Sequence, residues 1–197
     1  MQGTDFGLCC VSGTPGLSGL GAELERHGGR AVLCPTGSAE RVAAALTDWR
    51  LSRALVHVSS GASAVPAKRS GDAAVAMLSP ANASLGHLPP VLRDEVETAL
   101  GFTHVAAAFV GDRPVSFCYA GYETEKFWDL SIDTLEENRG RGHARECCEY
   151  MIEHMSRHGK EPVWGALESN VASRRLAASL GFEPVAELVL FEPPVAA

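Results

Sequence analysis

From His104 to Phe191 the spacing of apolar residues changes period several times, and this succession constrains the fold more than any other feature of the chain. Phe127 to Thr134 alternates, with Trp128, Leu130 and Ile132 facing one way and Asp129, Ser131 and Asp133 the other. Side chains alternate across a strand, so this is a half-buried strand whose polar face suits the wall of a cleft. Before it, His104–Val110 and Val115–Tyr122 are apolar and flank the turn-forming Gly111–Pro114, which predicts a hairpin. After it, Ala144, Cys147, Cys148, Met151, Ile152 and Met155 recur at steps of three and four, a helical face ended by Gly159. Pro162–Leu167 reads as a strand. Ser169 or Asn170 then caps a helix carrying Leu176, Ala177 and Leu180, which stops at Gly181, and Val185–Phe191 is the last strand. The order β-β-β-α-β-α-β implies the α/β class, a mixed central sheet flanked by helices.

The first half is less regular. A short helix is expected over Leu17–His27, ended by Gly28 and Gly29, and a strand over Ala31–Cys34, closed by Pro35. Ser38 is placed to cap a helix running through Trp49, with Val42, Ala45, Leu46 and Trp49 on one face. Strands are expected at Leu55–Val58 and Ala73–Leu78, a loop over Ser59–Ala67, a linker over Ser79–Pro90 and a helix from Pro90 to Leu100. The organisation is thus an N-terminal α/β region over residues 1–95 and a second domain over residues 97–193.

Charge narrows the partners. Lys and Arg number 17 and Asp and Glu 24, and 17 − 24 gives a net charge of −7. Such a balance argues against non-specific nucleic-acid binding and suits a cationic acceptor such as an amine. A local basic patch nevertheless stands at Arg139, Arg141 and Arg145. No apolar run approaches the roughly 18 residues of a membrane span. The stretch after Met1 contains Asp5 and no basic cluster, unlike a secretory leader, so the cytoplasm is the default expectation. The six cysteines form neither CxxC nor a zinc-type spacing, so no metal is expected, and they read as reduced and mostly buried.

A strand feeding Glu137-Asn138-Arg139-Gly140-Arg141-Gly142-His143-Ala144 and then a helix is a device for holding phosphate. Helices leave their first amide hydrogens unpaired, and these donors with the helix field favour an anion there. Gly140 and Gly142 let the backbone turn and approach without a Cβ in the way, and Ala144 is small where bulk would crowd a ligand. Arg139 and Arg141 can add charge-assisted contacts, and His143 can simply point outward. The stretch lacks the Gly-Lys-Ser/Thr ending of a nucleotide P-loop and the full G-x-G-x-x-G of a dinucleotide fold. An ordinary glycine-rich turn with solvated arginines is the alternative reading of the turn by itself.

Two motifs in this order give the second half a family resemblance. Arg139-Gly140-Arg141-Gly142-His143-Ala144 after a strand, followed by Asn170-Val171-Ala172-Ser173 and Leu180-Gly181-Phe182, resembles the GNAT superfamily of N-acetyltransferases. The subgroup with Glu/Asp-x-x-Ile-x-Thr before the turn and Pro-x-Trp before the Asn is similar at Asp129–Thr134 and Pro162–Trp164. The resemblance implies a GNAT-like acyl-CoA N-acyltransferase fold with acetyl-CoA as co-substrate. Its pyrophosphate would lie on Arg139, Gly140, Arg141, Gly142, His143 and Ala144. The thioester and pantetheine would run along Ile132, Asp133 and Thr134, with Asn170 and Ser173 at the next helix start; a plain helix cap is the alternative for Asn170. Residues 1–95 are then a degenerate lobe or part of the acceptor site.

Acyl transfer to an amine needs a proton acceptor, because an alkylammonium holds its proton to a pH of roughly 10. Asp129 and Asp133 lie on the polar strand face, and the resemblance favours Asp129 as the base. Glu125, Glu123 and Glu168 are alternatives, and for each acid a solvated charge is the competing reading. One departure is clear: where many members carry a Tyr seven residues after the Asn, acting as acid toward the thiolate, this chain has Ala177. The expected acceptor is a small-molecule amine taken by direct transfer. A protein or peptide amine and a catalytically silent CoA-binding module are the rivals, and a homodimer is entertained without a sequence signal that decides it.

Overall fold

The computed structural model describes residues 8–11, 13, 17, 19–26, 30–59, 74–79 and 84–194. The expected loop over Ser59–Ala67 lies outside them except for Ser59, which is the last residue of a strand, and the Gly28-Gly29 helix stop and part of the Ser79–Pro90 linker lie outside them too. Two compact units emerge, each drawing on both halves of the chain. One holds Val58–Trp164 and Leu176–Glu183, the other the residues up to His57, Gly165–Arg175 and those from Pro184 onward.

The first unit carries β4 (Ala74–Met77), α3 (Pro90–Phe102), β5 (Val105–Val110), β6 (Arg113–Glu123), β7 (Phe127–Thr134), α4 (His143–Ser156) and the start of β8 (Glu161–Leu167). Its strands run in the order β8-β7-β6-β5-β4. Pairing is antiparallel from β4 to β7, and β7 to β8 is parallel, so the sheet is mixed. The hairpin and the alternating strand appear where the apolar periodicity predicts them. Odd-numbered Val115, Phe117 and Tyr119 of β6 join Val96 and Ala99 of α3 and Leu85 and Leu88 before it in one apolar cluster. On the opposite face, Cys147 Sγ of α4 reaches Ser116 O at 3.4 Å. Cys147, Cys148, Met151 and Met155 form the buried side of α4, which places the adjacent thiols in the core. Trp128 and Trp164 are buried as sheet packing, and Trp164 meets Phe182 edge-on at 5.4 Å.

The second unit orders β1 (Leu8–Cys10), β2 (Ala31–Pro35), β9 (Phe182–Glu192) and β3 (Arg50–Ser59). β1–β2 is parallel and β2–β9 antiparallel, again a mixed sheet. α1 (Leu20–Arg26) and α2 (Ala39–Ala45) contribute Leu24 and Val42 to a core with Val32, Cys34, Val189 and Phe191. The helix expected to run through Trp49 ends at Ala45, because Leu46 leaves helical geometry at φ −126°, ψ 59°. Ser38 is not its side-chain cap: its Oγ donates to Gly13 O instead. Leu46 and Trp49 still pack on that core from the turn beyond the helix, which is why they matched its apolar face. The second unit also holds the start of α5 (Val171–Ser179).

Candidate functional site

The polar face of β7 lies on the α3 side of the first unit. Tyr119 pairs with Ser131 and Phe117 with Asp133, and directly opposed residues share a face. The three odd-numbered polar residues of β7 therefore project where α3 packs, and Leu130 and Ile132 face α4. Tyr119 donates its hydroxyl to Asp133 Oδ2 at 3.0 Å. Burial raises the Asp133 carboxyl above the usual carboxylate range, and the Tyr119 hydroxyl and the Arg139 guanidinium pull it back down. Burial, reinforced by the charge of Asp133, raises Glu95 of α3 as well, so two carboxyls and a phenol share this face. Asp129, further along, is pushed up to about 6 by burial alone. Glu95 and Tyr119 escaped the sequence reading because only cross-strand register and helix packing bring them to Asp133.

The turn after β7 supplies the second part. The parallel ladder between β7 and β8 ends at Asp129↔Val163, and β7 continues for five residues to Thr134. Thr134 is fixed by Ser116, whose Oγ lies 2.7 Å from its Oγ1 and donates to Asp133 O at 3.0 Å. A single 3₁₀ turn at Glu136–Asn138 then leads into Gly140 at φ 73° and Gly142 at φ 90°. Both lie in the left-handed region, where a Cβ is disfavoured, so these two glycines set the path of the turn. No side chain caps α4. The Glu146 amide reaches back to Gly142 O at 3.1 Å, so the amides just before it lie ahead of the helical hydrogen-bond pattern. Nothing lies within 4 Å of where a Gly140 side chain would stand. An uncapped helix start with open space before it fits a diphosphate.

Several expected residues sit differently. Arg145 is not part of a free basic patch: its Nε donates to Glu149 Oε1 at 2.9 Å and its Nη1 to Ser179 O at 3.0 Å. Arg139 bends back so that Nε donates to Thr134 O at 3.3 Å, while Arg141 is exposed. His143 does not point outward: it is 4% exposed, and both ring nitrogens are buried without a hydrogen-bond partner. Glu125 is exposed in the connection between β6 and β7, and Glu123 is engaged by Lys160 at 2.6 Å. Asn170 lies within the Gly165–Arg175 segment of the second unit, where its Oδ1 accepts the Ser173 amide at 3.0 Å, a helix cap on α5. Ala177 is 0% exposed. Among the described residues no group of three or more His, Cys, Asp or Glu could hold a metal, and no helix is long and apolar enough to cross a membrane.

Comparison with known proteins bears on the family and the fold. The family model for GNAT acetyltransferase matches residues 97–191. No protein of curated function matches the chain by sequence. Among solved structures, a GCN5-related N-acetyltransferase-like protein from Streptococcus suis 89/1591 is 16% identical, with a TM-score of 0.71 over 94% of this chain and 78% of its own. A functionally unknown conserved protein from Staphylococcus epidermidis is 12% identical, with a TM-score of 0.64 over 92% of this chain and 82% of its own. A tandem GNAT protein from the clavulanic acid biosynthesis pathway is 15% identical, with a TM-score of 0.60 over 89% of this chain and 68% of its own. At such identities the likeness is one of fold. Residues 97–191 thus match the GNAT acetyltransferase family, on a fold shared with solved GNAT proteins.

Proposed function

We propose that this protein moves an acetyl group from acetyl-CoA to a primary amine of a small molecule by direct attack. The observation that carries the reading is the pairing of an uncapped α4 start with a β7 face bearing a sheltered carboxyl, Asp129, raised to about 6. Acetyl-CoA supplies the activated thioester. The amides and glycines of Gly140–Ala144, with Arg141, hold its diphosphate, and Arg139 closes the turn against Thr134. Asp129 takes the proton of the bound ammonium so that the neutral amine attacks the thioester carbonyl, a task suited to a base titrating near neutrality. Asp133 and, on α3, Glu95 put negative charge on this face and favour a cationic acceptor, so residues before 97 contribute to the acceptor side. A cytoplasmic setting, the default expectation from the sequence, is part of this proposal.

A second reading, a catalytically silent CoA-binding module, is favoured by one observation: Ala177 is wholly buried and offers no acid to the leaving thiolate. A thiolate is a tolerable leaving group, with a proton affinity of roughly 8.5 in pKa, so water suffices as acid under the first reading. Calorimetric titration of acetyl-CoA into the chain and into Gly142→Glu tests the shared step. Binding is expected in the first and abolished in the second. Thiol release with a panel of small amines then separates the readings. Binding without release supports the silent module, and no binding at all overturns both.

A further inference from the structure

The β6–β7 ladder is regular from Ser116↔Thr134 to Ala120↔Leu130 and then resumes at Glu123↔Trp128. Two residues of β6, Gly121 and Tyr122, thus oppose one of β7, Asp129, which is a β-bulge. A Cβ built on Gly121 would stand 3.0 Å from Asp129 Oδ2 and 3.0 Å from Ser131 Oγ. Gly121 does not have a positive φ, so the backbone there is one that any residue adopts. Glycine matters at this position through space and not conformation: a Cβ would press on those two side-chain tips, which would have to give by a few tenths of an ångström.

We propose that Gly121 is a positioning residue for the amine-activating carboxylate: its missing side chain is the space in which the Asp129 carboxyl and the Ser131 hydroxyl lie. The proposal rests on the reading of Asp129 as the base. Bulges re-aim side chains, and here the extra β6 residue turns a bare Cα toward the one carboxyl on β7 that no cation or phenol holds. Among the described residues, Gly121 from β6, Val163 opposite it in the β8 ladder and Ser131 on its own strand lie beside Asp129, all uncharged, and burial is the one cause that raises its carboxyl. The neighbouring carboxyl, Asp133, is engaged by Tyr119 and drawn on by Arg139, and Glu95 of α3 acts on Asp133. In Gly121→Ala the clashing atoms are the tips of two short side chains, so β6 holds its place and the carboxyl swings aside. It then gains water, and its affinity for a proton falls toward that of an ordinary carboxylate.

The test is a carbon-13 titration of the Asp129 carboxyl in the full chain and in Gly121→Ala. The midpoint is expected to fall by about one pH unit or more, and kcat/KM for amine acetylation about tenfold, its acid limb moving to lower pH. Ser131→Ala added to Gly121→Ala removes one of the two clashes and is expected to return the midpoint part of the way. An unmoved midpoint in Gly121→Ala overturns the proposal. Should the unsubstituted chain acetylate no amine, the base reading fails while the titration still judges the positioning. If Gly121→Ala folds poorly, melting curves decide: the loss is expected to disappear when Asp129→Ala and Ser131→Ala are both present. A loss of equal size in that background also overturns it.

Discussion

Burying a carboxyl among uncharged groups favours its neutral form, and Asp129 carries that cost at about 6 instead of the usual 3.8. The folded state therefore binds more protons than the unfolded state between these values, so stability declines as pH rises through that window and stays lower above it. Asp129→Asn keeps the shape and removes the charge. It is expected to stabilise the chain by up to about 3 kcal/mol at pH 8, with the gain fading to nothing near pH 4, as read by denaturant melts at both pH values. The same substitution should lower kcat/KM for acetyl transfer by about 10²-fold or more. In the unsubstituted chain, acetyl transfer under the proposed reading should fall as pH drops through about 6, as Asp129 takes up its proton. Gain of stability with loss of turnover would mark a site held against the preference of the fold. Asp133 differs because Tyr119 supplies a hydrogen bond to its charged form. Tyr119→Phe removes that donor and should cost about 1–3 kcal/mol, with the Asp133 titration moving upward in carbon-13 spectra.

At the scale of elements, the turn into α4 has the cleanest sequence signal and a direct physical price. Gly140 stands at φ 73° with open space around it, so Gly140→Ala meets strain and no clash, and should cost roughly 1–2 kcal/mol in thermal or chemical unfolding. Period and punctuation made β7, α3, α4 and the β5–β6 hairpin legible: β7 and the two helices have one-sided apolar patterns, and β5 and β6 are apolar runs joined by a turn. β1 was not legible: Leu8–Cys10 is three residues long in a glycine-rich stretch and is defined by its pairing with β2. The early end of α2 was hidden because Leu46 and Trp49 serve the same core from outside the helix. The polar face with Asp129 and Asp133 followed from alternation. Its partners Tyr119, Glu95 and Gly121 did not, since register across strands and the bulge at Ala120–Glu123 are tertiary facts. His143 was misjudged for a related reason: the first residue of a helix faces wherever the turn aims it, and here that is inward.

For the whole molecule, the family match begins at residue 97, but the core that supports the β7 face begins earlier. Leu78, Leu85, Leu88 and Val96 belong to the same apolar cluster as Val105, Phe117, Tyr119 and Leu135. β4 pairs with β5 over Ala74–Met77, and α3 starts at Pro90. A fragment of residues 97–197 would keep both GNAT motifs yet lose β4, the first half of α3 and those four leucine and valine side chains. Each buried aliphatic contributes roughly 1.5–3 kcal/mol, so the loss of four is comparable to the whole margin by which a domain of this size stays folded. It would also leave one edge of β5 unpaired and apolar, inviting association. The fragment is therefore expected to lack a cooperative thermal transition and to show collapsed amide dispersion by NMR, while a chain starting at residue 74 does better in both. A fragment from 97 that melts cooperatively would mean that the apolar cluster around α3 is dispensable, and that the face bearing Asp129 and Asp133 is held by β5, β6, β7 and α4 alone.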